Sequence, residues 1–231
     1  MPYLKKTSSY LNCHKRIFAG EGPYDMPIVQ PCRLDLSAVQ KLKVIDFNKA
    51  HNTRDTKRRL DDKILHFYSD DYVFARVWNY PDDYLNMFKK FMAVMSPGFS
   101  MYVDFPVAVQ IFNAFRRKWC AAYWQEHGVT VIPTIQWSDE RSFDWCFDGD
   151  PVGGVVSVSS VGTQKREETK RGFLAGYNEM LRRLSPDTIL FYGIVPPECE
   201  GNIIHVESDP YRMKKRLEEA IADEAELMGE D

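Results

Sequence analysis

Between Ser96 and Gly162 the spacing of apolar residues alternates between helical and extended, and these changes of period mark out the elements. Val107, Ile111, Phe115 and Trp119 recur at four-residue intervals, with Ala108, Ala122 and Tyr123 on the same side, which predicts one face of a long helix. Pro106 suits its first position, having a fixed φ and no N–H to satisfy, and Gly128 suits the left-handed position past its end. Gln110, Asn113, Arg116 and Arg117 fall elsewhere on the wheel and read as solvent-facing. On that assignment Ile111→Ala or Phe115→Ala costs about 2–5 kcal/mol through lost buried volume, and Arg117→Ala costs little. Residues 129–135 and 154–159 are dominated by β-branched side chains, as strands covered on both faces are.

The same patterning predicts strands over 43–47, 64–68, 91–95, 187–192 and 202–207, and helices over 72–78, 82–88, 166–184 and 211–227. Residues 48–62 are polar and read as a loop or a short exposed helix. The chain divides into an extension over 1–40 packed on the domain, an α/β domain over 41–210, and a charged helix and tail over 211–231. Strands alternating with helices predict a parallel-rich α/β sheet. A reduced, TIM-barrel-like (β/α) barrel is the first reading, and an open doubly wound sheet is the alternative.

At 44% hydrophobic and 13% aromatic, the 231 residues can bury a substantial core. The net charge of −3 removes any general attraction to nucleic acid. Basic stretches remain at 54–59, 116–118, 165–171, 182–183 and 214–216, and on helices such runs are ordinarily solvated. Five scattered cysteines without a CxxC pair, no leader-like apolar segment and no apolar run of about 18 residues predict a reduced, soluble, intracellular protein with no membrane partner.

In parallel α/β folds ligands sit outside the C-terminal ends of the strands, where loops vary without disturbing the core. That rule collects Asp46, Asp104 and Glu207 as candidate catalytic carboxylates, and Thr134, Gln136, Trp137, Ser159, Ser160, Gly162 and Tyr192 as candidate ligand-binding residues. Ser69–Asp71, Ser96 and Ser100 belong to the same set. The turn Ser159-Ser160-Val161-Gly162-Thr163 leads from a strand towards a helix and could hold an anion on its backbone N–H groups. Gln136 and Trp137 would then meet the uncharged part of a small phosphorylated ligand. The plainer readings are an ordinary turn, a core aromatic, and helix caps at Asp104 and Ser138. His14, His51, His66, His127 and His205 have no metal-ligand spacing, and His66 and His205 read as core residues. Neither a P-loop nor a GxSxG nucleophile is present, and Cys120 and Cys146 read as buried and inert. No cofactor follows.

Several segments resemble a family of bacteriophage and mobile-element proteins classed as a domain of unknown function. They are His66-Phe67-Tyr68-Ser69-Asp70-Asp71, Ser96-Pro97-Gly98-Phe99-Ser100, Asn113-Ala114-Phe115-Arg116, Val131-Ile132-Pro133-Thr134 with Trp137, and Phe143 to Gly149. Val158 to Gly162, Gly176 to Met180 and Tyr192-Gly193 extend the match. The chain departs from the pattern at Gly98, where an acidic residue is common. The resemblance implies a viral or mobile-element setting in the cytoplasm of a bacterial host, and carries over no activity and no catalytic residue. Two functions follow as expectations: an enzyme handling a nucleotide or sugar-phosphate at the strand ends, or a non-enzymatic module binding nucleic acid or a host protein.

Overall fold

The computed structural model describes residues 11–37, 42–51 and 60–207. The helix expected over 211–227 and the basic stretches at 54–59 and 214–216 lie outside them. A short antiparallel hairpin, β1 (Gly20–Glu21) and β2 (Met26–Pro27), precedes two parallel sheets. The first holds β3 (Lys43–Asp46), β4 (Leu60–His66), β5 (Phe91–Met95) and β6 (Val131–Ile132) in sequence order. The second holds β7 (Val155–Ser159), β8 (Thr188–Tyr192) and β9 (Ile203–Val206). A parallel bridge between Thr134 and Ser157 joins the two. β6 is short because Pro133 has no N–H for the ladder, yet Ser157 N–H donates to Pro133 O and Ile135 N–H to Ser157 O, both at 2.8 Å. The chain therefore stays beside β7 beyond the end of the assigned strand.

Helices alternate with the strands. α1 (Phe47–His51) follows β3, and α2 (Asp71–Phe74), α3 (Arg76–Asn79) and α4 (Leu85–Phe88) lie between β4 and β5. α5 (Val107–Glu126) links β5 to β6, and α6 (Glu167–Leu184) links β7 to β8. The parallel α/β expectation is met. No closed sheet is present among the described residues, since β3 and β9 stand at outer ends without pairing to each other. One apolar cluster nonetheless draws Val44, Ile64, Ala93, Ile132, Val155, Leu190 and Ile204, one from each parallel strand. Aromatics from the helices, including Phe74, Phe88 and Trp124, cover the outer face of the first sheet through Phe67 and Val94. The segment 26–36 packs inside as well, through Met26, Val29, Cys32 and Leu36.

The structure keeps Trp119, Ala122 and Tyr123 on the buried side of α5 but reverses the rest of the face assignment. Gln110, Asn113, Arg117 and Lys118 are buried, Ile111 and Phe115 are half-buried, and Val107 and Phe112 are exposed. Residues 117–124 of the helix are all buried, so no solvent face exists there for polar residues to occupy. Arg117 instead donates to Thr134 O, to Cys146 O at 3.3 Å and to Asp150 Oδ2 at 2.9 Å. Lys118 Nζ lies 2.8 Å from Cys146 O and 3.2 Å from Asp150 Oδ2. The basic stretch at 116–118 is thus largely interior and offers no surface to nucleic acid. The expected caps also move. Asp104 is exposed and caps nothing, the helix being preceded by Pro106, and the 3-10 turn over Glu140–Asp144 is capped by Asp139 rather than Ser138.

Burial, with the Arg117 charge beside it, pushes the Lys118 ammonium down to about 8 from 10.5. Between those two pH values the unfolded chain binds more protons than the folded one, so this lysine makes stability rise with pH. Burial pushes the Cys146 thiol up to about 12 from 9.0, which acts in the opposite direction above pH 9. Lys118→Met is therefore expected to remove a rise in the urea midpoint between pH 8 and 9 that the unaltered chain displays. Identical pH profiles for the two proteins would contradict it.

Candidate functional site

A cavity of about 640 Å³ opens at the C-terminal ends of the parallel strands. The C-terminal ends of six of them, or the segments that follow, contribute to it, from Asp46 at the end of β3 to Tyr192 at the end of β8. Its floor is aromatic: Tyr68 and Tyr192 stack at 4.6 Å and 21°, and His66 lies 4.9 Å from the Tyr192 ring. Tyr68 N–H donates to His66 Nδ1 at 3.3 Å. Burial pushes the Tyr68 phenol above its ordinary range, so it stays protonated.

Trp137 and Phe173 form one wall, their rings 5.4 Å apart. Trp137 lies against α6 where Gly176 leaves a gap, and a Cβ there would come within 2.2 Å of the indole nitrogen. Gln136 lies beside Gly98, whose absent side chain leaves room for the amide; a Cβ would approach Nε2 to 2.8 Å. Gln136 Oε1 and Ser69 Oγ are buried without a hydrogen-bond partner, and both residues line the cavity. Asp46 Oδ1 accepts the Asn48 N–H at 2.8 Å, holding its carboxylate at the start of α1.

The loop carrying Gly98, Ser100 and Tyr102 is fixed by the polar residues of α5. Asn113 Nδ2 donates to Ser100 O at 2.6 Å, and Gln110 Nε2 donates to Tyr102 O and Phe105 O at 3.2 and 2.9 Å. Asp71 accepts from Ser100 N–H and Oγ–H, the latter at 2.8 Å. Arg116 covers the face of Phe99, its guanidinium 3.9 Å from the ring centre. These side chains shape the rim of the cavity from behind.

Of the residues singled out by sequence, Asp46, Gln136, Trp137, Ser159 and Tyr192 line this one cavity, as do Ser69, Asp70 and Ser100. Thr134 does not: it is buried below, donating from Oγ1 to Ser96 O at 2.7 Å and lying 3.1 Å from Ser157 Oγ. Ser160 Oγ donates to Ile194 O in the loop after β8 at 2.6 Å, and its carbonyl accepts Thr163 Oγ1–H at 2.8 Å, so both hydroxyls are engaged by main-chain carbonyls. Gly162 takes a positive φ of 86° in that turn, outside the cavity. Asp104 is exposed before α5, and Glu207 is half-buried after β9; neither lines the cavity. Tyr68, Tyr102, Lys49 and Phe173 were not anticipated. Tyr68 could have been found by extending the inward alternation Ile64, His66, Tyr68 one step past the strand. No group of His, Cys, Asp or Glu among the described residues could hold a metal ion. No helix among them is long and apolar enough to cross a membrane.

A family model described as a domain of unknown function (DUF4417) matches residues 19–209. The Gene 1 protein of Mycobacterium phage L5 is 40% identical over 129 residues, 56% of this chain and 56% of that protein. The Gene 1 protein of Mycobacterium phage D29 is 37% identical over 163 residues, 69% of this chain and 60% of that protein. The chain thus spans less than two thirds of the length of these relatives. No solved structure matches it.

Proposed function

The chain belongs to the DUF4417 family, and we propose that it binds a small organic ligand carrying a nucleobase or a sugar ring in the cavity at the strand ends. The observation that carries this reading is the pairing of aromatic walls with buried polar atoms that lack partners. Tyr68, Tyr192 and Trp137 offer flat apolar faces, while Gln136 Oε1 and Ser69 Oγ await a hydrogen bond. An unsatisfied buried polar atom costs about 1–3 kcal/mol, a cost that a ligand with matching groups would remove. The size supports it too, since ligand pockets commonly enclose about 300–1,000 Å³. We read the scaffold as a reduced (β/α) barrel left open between β9 and β3, supported by sequential strand order and by one interior cluster fed from every parallel strand. The relatives from phages support a viral setting.

The test is a thermal-shift panel of nucleosides, nucleotides and monosaccharides on the unaltered chain and on Trp137→Ala. At least one compound is expected to raise the melting temperature of the former and not the latter. A panel with no shift, or a shift that survives the loss of Trp137, would refute the cavity as the binding site.

A further inference from the structure

We infer that the ligand is an uncharged nucleoside rather than a nucleotide or sugar-phosphate, an inference that rests on the cavity being the binding site. Electrostatics separate these classes. Asp46 and Asp70 line the cavity, and Lys49 is the single cation among its described lining residues. Among these described residues a phosphate would meet two carboxylates and one ammonium. The turn that could have received it does not serve: Ser160 Oγ and Thr163 Oγ1 are engaged by main-chain carbonyls, and Gly162 stands outside the cavity. Phosphate recognition ordinarily needs converging N–H donors or guanidinium groups. Neither Arg116 nor Arg117 lines the cavity.

The polar groups that do line it ask mainly for donors. Asp46 Oδ1 already takes the Asn48 N–H, leaving Oδ2 as an acceptor, and Asp70 adds another carboxylate. Ribose hydroxyls fit such carboxylates as donors. The Gln136 amide presents an acceptor and a donor side by side, and its Oε1 is buried and unpartnered. A nucleobase edge carries the complementary pair, as in amide recognition of adenine. The indole of Trp137 and the stacked Tyr68–Tyr192 pair supply surfaces for the base, a contribution that needs no charge. A monosaccharide would use the carboxylates but leave the paired amide groups without a planar partner.

Titration calorimetry decides it, using adenosine, guanosine, cytidine, uridine, their 5′-monophosphates and ribose. At least one nucleoside is expected to bind, with its monophosphate at least tenfold weaker. Gln136→Leu, checked for an unchanged melting temperature, should weaken the nucleoside at least tenfold, and Asp70→Asn should narrow the gap between nucleoside and monophosphate. A monophosphate that binds as tightly as its nucleoside, ribose binding without any nucleoside, or indifference to Gln136→Leu would overturn the inference. If binding in any of those cases is still abolished by Trp137→Ala, the cavity itself remains the site. Nucleoside binding that ignores Trp137→Ala, or no binding by any compound, would overturn both.

Discussion

Asp150→Ala is expected to lower the unfolding free energy by about 3–5 kcal/mol, because it leaves Arg117 and Lys118 buried side by side with no counter-charge. All three side chains are at most 1% exposed, and Asp150 Oδ2 serves both cations, at 2.9 and 3.2 Å. The Cys146 and Thr134 carbonyls satisfy several of the N–H donors but carry no full charge to set against the cations. Domains of this size have total stabilities of about 5–15 kcal/mol, so such a loss is a large share of the whole. Urea titration of the unaltered chain, Asp150→Ala and Ile111→Ala should rank Asp150→Ala as the most damaged. Ile111 is only half-buried, so its truncation removes fewer contacts. Adding Lys118→Met to Asp150→Ala should recover part of the loss by removing one of the two facing cations. An Asp150→Ala midpoint equal to that of the unaltered chain would refute this account of the interior.

Gly176→Ala is expected to abolish ligand binding while leaving most of the fold in place. The new methyl group would lie 2.2–2.4 Å from Nε1, Cδ1 and Cε2 of Trp137, distances no real Cβ sustains. The indole lines a cavity and so has space to move into, whereas the α6 backbone does not. Its displacement would remove a stacking face worth about 1–3 kcal/mol per base and fill part of the cavity as well. Calorimetry with the tightest-binding nucleoside should show at least the loss seen for Trp137→Ala. Normal affinity in a folded Gly176→Ala protein would mean that the indole does not form the binding wall.

Much of the frame could be read from residue order. The β-branched runs became parallel strands, and the amphipathic repeat of Phe173, Tyr177, Met180 and Leu184 became the buried side of α6. The faces of α5 could not be read, because a four-residue apolar repeat assumes solvent on the other side. Gln110 and Asn113 find their partners in the carbonyls of the adjoining loop, and Arg117 finds Asp150 across the fold. The site was legible as a position but not as a direction. Asp46, Gln136, Ser159 and Tyr192 do line one cavity at the strand ends, whereas burial takes Thr134 out of it and a hydrogen bond to Ile194 O engages Ser160.

The segment 12–36 is fastened to parts of the chain that come much later. Gln30 exchanges hydrogen bonds with Gln125, 95 positions on, Arg16 O accepts the indole N–H of Trp119, 103 positions on, and Cys32 bridges to Val155. During synthesis, therefore, the docking surface of residues 16–32 is incomplete until α5 and then β7 have emerged. Met26, Val29 and Cys32, all buried at the end, cannot be fully covered until those elements are made. Closure of this strap is thus a late, long-range step, and the chain is most open to aggregation and to proteases until it occurs.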